Sequence, residues 1–229
     1  MTLFRMKTTR STSSNMACKP AALRIISRDG FTMIELLVVI TIMAILSILI
    51  VPASASLLAS ANFRSNVTVV DGILEEAYSA ALARNTYVWI GFSQLSINGG
   101  GVGIVAVYSP HEDPNDFPGN VNLLTKPVFL HNINLGNISA AQISNPNRMT
   151  TSVGQITGAN LGSFAAPIGG SSQTLSYVIK ITPSGQISLS TSNKYAWIEI
   201  GLAPLNGNGK NAAVLQMNAF TGRVATYRS

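Results

Sequence analysis

The chain has 229 residues, 47% of them hydrophobic and only 10% charged, with a formal net charge of +6. That excess sits in residues 1 to 30, where six Lys/Arg face one acid (6 − 1 = +5), while residues 31 to 229 hold nine Lys/Arg against eight Asp/Glu (9 − 8 = +1). Overall charge therefore gives no support to a nucleic-acid footprint in the folded part, and one cysteine, Cys18, excludes a disulfide framework.

The first segment, residues 1–30, is a basic leader carrying Arg5, Lys7, Arg10, Lys19, Arg24 and Arg28. No apolar run precedes Met16-Ala17-Cys18, which argues against a lipid-attachment cysteine. Met6 and Met16 are alternative starts for this long leader. The run Phe31–Val51 follows, 21 residues and apolar except for Thr32, Glu35, Thr41 and Ser47. As a helix it measures about 31 Å, enough to cross a hydrocarbon core. The basic flank places the leader in the cytoplasm and the rest of the chain across the membrane. A secretory signal has a shorter apolar run and is cut after it. Ala53-Ser54-Ala55 offers such a cut, and Gly30–Phe31 offers one before the run. A carboxylate inside a membrane helix costs roughly 2.5–3.5 kcal/mol, which makes Glu35 a functional residue in need of a partner.

Gly30-Phe31-Thr32-Met33-Ile34-Glu35-Leu36-Leu37-Val38-Val39-Ile40 resembles the processing signal of the type IV pilin superfamily, which includes the pseudopilins of type II secretion systems. The resemblance implies that a membrane prepilin peptidase cuts after Gly30 and that the new amino group of Phe31 is N-methylated. It implies that Glu35 serves assembly by pairing with the Phe31 amine of a neighbouring subunit. Glycine suits a narrow peptidase cleft because it has no side chain. An ion pair in lipid offsets two desolvation costs only when subunits stack in register.

From Pro52 the pattern becomes amphipathic. Phe63, Val67, Val70, Leu74, Ala77 and Ala81 recur at helical spacing, so residues 52–85 continue the helix, which ends near Asn85. Pro52 is expected to kink or loosen it. The stripe is expected to dock on the protein's own sheet.

Residues 86–229 read as a β-rich periplasmic domain. Strands are expected at 86–93, 102–109, 127–135, 174–182, 186–190, 194–202, 212–218 and 223–227. Turns are expected at Asn98-Gly99-Gly100-Gly101, Pro183-Ser184-Gly185, Asn206-Gly207-Asn208-Gly209 and Thr221-Gly222. Residues 136–173, rich in Gly, Ser, Asn and Ala, read as a long loop or poorly ordered insertion. The fold class is α+β: a long N-terminal helix, membrane-spanning in its first half, followed by an antiparallel sheet, as in a pilin-like lollipop. The C-terminal segments Thr182-Pro183-Ser184-Gly185 and Thr221-Gly222-Arg223-Val224 are similar to those of minor pseudopilins of the H type. An ordinary tight turn at Gly222 explains the second segment equally well.

No catalytic pattern stands out. His111 and His131 form no metal-ligand pair, no nucleophile elbow is present, and Gly99-Gly100-Gly101-Val102-Gly103 lacks the Lys-Ser/Thr of a phosphate loop. Glu112, Asp113, Asn115 and Asp116 supply the oxygen donors calcium prefers, without EF-hand spacing. A solvated turn with Asx caps is the favoured reading, and no metal is expected. Trp89 and Trp197 are expected in the core.

The expectation is a non-enzymatic structural subunit without cofactor, a minor pseudopilin of a type II secretion pseudopilus. Its implied partners are the prepilin peptidase, other pilins or pseudopilins, and an inner-membrane platform with its assembly ATPase. A minor type IV pilin for adhesion or DNA uptake is the first alternative, and a membrane-tethered β-rich binding protein or enzyme the second.

Overall fold

The computed structural model describes residues 30–190, 195–205 and 211–229, with side chains at 49–56 and 98 excepted. The leader with Cys18, and the turn expected at 206–209, lie outside the described residues. Contacts divide the chain into a unit ending at Leu49 and a second unit, Ile50–Ser229.

The fold is α+β, with one N-terminal helix and a large, mostly antiparallel β domain. Helix α1 is Met33–Ala83, and Pro52 lies inside that span. It stops at a left-handed Asn85, with φ 52°. There the Thr86 N–H donates to the Ala81 carbonyl at 3.1 Å and the Asn85 N–H to that of Leu82 at 3.3 Å. This pair of bonds closes the last turn and satisfies carbonyls that the helix end would leave open. Among the described residues no helix is long and apolar enough to cross a membrane; the described apolar side chains of the first unit stop at Ile48.

The strands are β1 (Val88–Leu95), β2 (Gly101–Tyr108), β3 (Asn122–Leu123), β4 (Val128–His131), β5 (Ile133–Leu135), β6 (Val153–Gln155), β7 (Phe164–Ile168), β8 (Ser171–Leu175), β9 (Tyr177–Ile181), β10 (Ile187–Ser188), β11 (Trp197–Pro204), β12 (Ala213–Asn218) and β13 (Val224–Arg228). The first sheet has the order β10-β9-β1-β2-β3, with β4 also on β2. The second has the order β13-β12-β11-β5, and β6 joins β11 in parallel, the one parallel pairing among the described strands. β7 and β8 form a separate hairpin.

The stripe expected on the helix is the one that is buried. Phe63, Val67, Val70, Leu74, Ala77 and Ala81, joined by Ile73, pack with Ile90, Phe92 and Ile104 of the first sheet and Ile198, Ile200 and Leu215 of the second. Burying a side chain of this size contributes roughly 1.5–3 kcal/mol, so this face carries the docking.

Residues 136–173 correct the sequence reading, because they are neither a plain loop nor a loose insertion. They contain β6, β7 and the start of β8. The β7–β8 hairpin covers the second face of the first sheet, where Phe164, Ala166, Ile168 and Leu175 pack on Trp89, Val105 and Val107. This explains why β1 and β2 are apolar on alternate and intervening positions alike: both faces are buried. Gly91 makes the close approach possible, since a Cβ there would collide with the Phe164 ring. Farther back, Ile138 and Ile143 pack on Ala212 and Val214 and cover the outer face of the second sheet.

Trp89 is buried as expected, whereas Trp197 is only half-buried and lies in none of the three core clusters. The Thr221-Gly222 turn joins β12 to β13. Gly222 has φ 68°, and the Asn218 side chain accepts from the N–H groups of Phe220 and Thr221 at 3.0 Å. A Cβ at Gly222 would strike the Tyr78 ring, so helix packing and turn conformation both require glycine.

Candidate functional site

The first turn of α1 brings Thr32 and Glu35 together. The Thr32 N–H and the Thr32 hydroxyl both donate to Glu35 Oε2 at 2.9 Å, and the Glu35 N–H donates to Thr32 Oγ1 at 3.3 Å. This is a capping box, in which a threonine before the helix and a glutamate three residues on satisfy each other's backbone donors. The pattern Thr-x-x-Glu was legible in the sequence, but the cost of the carboxylate in lipid drew the reading to an intermolecular partner. Both roles are compatible: the cap engages Oε2, and Oε1 makes no hydrogen bond among the described residues.

Gly30 and Phe31 precede the cap and are exposed, with Phe31 at 76%. Met33, Ile34, Leu36, Leu37, Ile40 and Met43 are exposed on all sides of the helix. An apolar surface of this extent needs lipid or protein around it. The mean burial of the later stripe is absent here; this part of α1 has no sheet of its own.

The acidic segment at 112–116 takes a different shape from a ligand cage. Asp116 is buried, and its Oδ2 accepts from the Ser109 hydroxyl. His111 Nδ1 lies 3.3 Å from the same carboxylate. Asp113 accepts from the Asn115 N–H at 2.8 Å and caps a single 3-10 turn, while Glu112 is exposed with φ 58°. The segment is thus the Asx-capped turn, and no group of three His, Cys, Asp or Glu side chains gathers among the described residues. Calcium would have to compete with these internal bonds for both aspartates. His131 stacks edge-on against Phe129 at 4.5 Å, and its carbonyl accepts from Asn66.

The Ser109 hydroxyl bond, assisted by His111, holds the Asp116 carboxyl below its ordinary 3.8 against the opposing effect of burial. A depressed folded-state value contributes stability above the unfolded value and loses it as pH falls through the folded value. The thermal midpoint should therefore fall as pH drops below about 4, and Asp116→Asn should flatten that slope. A slope unchanged in the variant would remove Asp116 from the acid response.

The sequence reading missed one polar cluster entirely. Arg148 and Glu199 are an ion pair at 2.9 Å with 5% and 2% of their side chains exposed. Gln155 and Gln216 donate to the same carboxylate at 2.6 and 2.7 Å, and Arg148 also donates to the carbonyls of Ser139 and Ile138. The cluster fixes residues 138–155 onto β11 and β12; every strong donor in it is used internally, which marks it as structural. Strand alternation around Glu199 gave no signal, because a glutamate on the outer face of a strand ordinarily faces water.

Comparison with curated proteins yields no match, and comparison with solved structures yields none. Residues 27–51 match the family model described as the prokaryotic N-terminal methylation motif. The matched residues contain Gly30, Phe31, Thr32 and Glu35 and the start of the exposed apolar helix, so the match and the geometry address the same segment. The motif supports a type IV pilin-like family for this chain, as a structural subunit processed by prepilin peptidase and assembled with other pilins.

Proposed function

We propose that the chain is a minor pseudopilin of a type II secretion pseudopilus, cut after Gly30 and N-methylated on Phe31. In this reading residues 1–30 are removed, and Phe31–Val51 holds the subunit in the inner membrane. The β domain faces the periplasm until a platform and its assembly ATPase draw the subunit into a filament. Glu35 then pairs with the Phe31 amine of the adjacent subunit. The observation that carries the reading is the junction itself: Gly30–Phe31 inside the matched methylation motif, directly before a capped helix whose apolar side chains are uncovered. A capped first turn supports it further, because helical structure is complete from Met33 and the carboxylate is held near the new terminus.

The resemblance of Thr182-Pro183-Ser184-Gly185 and Thr221-Gly222-Arg223-Val224 to segments of H-type pseudopilins is what supports that subtype over a minor type IV pilin for adhesion or DNA uptake. N-terminal sequencing of the protein from the membrane fraction tests the core of the proposal. The expected first residue is Phe31, carrying a methyl group. An intact leader would sink it in favour of a membrane-tethered binding protein, and a start near Ser56, which discards the apolar run, would sink it as well.

A further inference from the structure

Charge is unevenly spread in the folded chain, although its sum is near zero. Residues 117 to 229 hold Lys126, Arg148, Lys180, Lys194, Lys210, Arg223 and Arg228 against one acid, Glu199, which Arg148 already occupies. Lys180 is the half-buried member of this set among the described residues. It lies on β9, directly opposite Ser188 of β10 and Trp89 of β1, so the three side chains share one face of the first sheet. Its ammonium stands 4.7 Å from the centre of the Tyr87 ring.

Among the described residues the ion pairs are His111–Asp116 and Arg148–Glu199, so no carboxylate meets Lys180. The other acids of the described residues, Glu35, Asp71, Glu75, Glu76, Glu112 and Asp113, make no ion pair with it either. Burial lowers the affinity of the Lys180 ammonium for its proton. A ring face returns part of the lost hydration but supplies no counter-charge. Beside Lys180 opens a cavity of about 290 Å³, lined also by Ser188, Leu161, Ile187 and Phe220. The Ser188 hydroxyl makes no hydrogen bond among the described residues, whereas that of Thr182, also in the wall, is taken by Ser184 and the Gln186 N–H.

We propose that this cavity binds a carboxylate carried on a small apolar body, with Lys180 as counter-ion and Ser188 as second donor. One ammonium balances one negative charge. No arginine lines the cavity to grip the several oxygens of a phosphate. Leu161, Ile187 and Phe220 give the rest of the ligand an apolar wall, the composition expected of a pocket with few but placed polar groups. Free organic acids and the carboxyl end of a peptide share this chemistry.

The test is calorimetric titration of the full chain in detergent with phenylacetate, phenylacetamide, acetyl-Gly-Phe, acetyl-Gly-Phe amide and inorganic phosphate. Saturable binding of an acid, at least about tenfold tighter than its amide and about tenfold weaker in Lys180→Gln, is expected. Tighter binding of acetyl-Gly-Phe than phenylacetate would assign the site to chain ends, and the reverse order to free acids. Lys180→Arg should keep binding within a few-fold, and Ser188→Ala, on the edge strand, should weaken it a few-fold without unfolding the sheet. Absence of saturable binding, equal affinity for acid and amide, phosphate binding tighter than both acids, or unchanged affinity in both Lys180→Gln and Ser188→Ala would each overturn the proposal.

Discussion

Glu35→Ala is expected to leave cleavage after Gly30 intact and to lower the subunit recovered in sheared filaments at least about tenfold. In the proposed function cleavage depends on Gly30 and Phe31, which the substitution leaves in place. Assembly in that proposal depends on the carboxylate, because a mature amine brought into an apolar filament core needs an opposite charge, and the apolar run holds no other acid. The capping box adds a second consequence. Alanine removes the acceptor for the Thr32 N–H and hydroxyl, costing about 1 kcal/mol of local helix stability. Thr32→Val removes the hydroxyl bonds while sparing the charge, so it separates the two effects. A loss in Glu35→Ala far larger than in Thr32→Val assigns the role to the ion pair. Equal losses would assign it to the cap, and normal incorporation of Glu35→Ala would remove the ion-pair mechanism. The readouts are immunoblots of sheared and membrane fractions, with N-terminal sequencing of each variant.

Glu199→Ala should destabilise the β domain by about 3–5 kcal/mol, the cost of leaving a buried guanidinium without its partner. Arg148 is 5% exposed in its side chain and has no other carboxylate within ion-pair distance among the described residues, so water cannot replace Glu199 without opening the fold. Gln155 and Gln216 would lose their acceptor as well. In a domain of this size the loss corresponds to a fall in melting temperature on the order of 10 °C. Replacing both partners, Arg148→Met with Glu199→Leu, should recover most of it, since well-packed apolar side chains substitute for a buried pair at little net cost. The measurement is thermal unfolding by circular dichroism in detergent. A fall below about 2 °C in Glu199→Ala would show that residues 138–155 part from the sheet easily and that the pair does not hold them.

Legibility in the sequence followed the length scale of the interaction. The helical stripe from Phe63 to Ala81 was readable because its period is local and a single face is buried. The turns at Gly185 and Gly222 were readable because each left-handed glycine sits beside a polar residue that bonds the turn. Residues 136–173 were not readable. Their strands are three to five residues long, and they are ordered by covering sheet faces that come from distant segments, Trp89 and Val105 for one hairpin, Ala212 and Val214 for the other cover. The inward course of Asp116 in the turn at 112–116 was not readable for a similar reason. Four oxygen-bearing residues in five positions look convergent on paper, yet the turn sends Asp116 inward to Ser109 and leaves Glu112 in solvent.

By itself the sequence determined the N-terminal segment: a basic stretch, a Gly–Phe bond, an apolar helix and one carboxylate within it. Those features act through neighbours in the chain, so residue order suffices to specify them. Only the tertiary structure decided that a plain-looking strand glutamate is a buried partner of Arg148, and that Lys180 stands beside a cavity with no carboxylate paired to it among the described residues. Both facts depend on which distant segments cover a sheet face and exclude water from it. Desolvation sets the strength and the need of a charge, and it is a property of the packed domain rather than of local spacing.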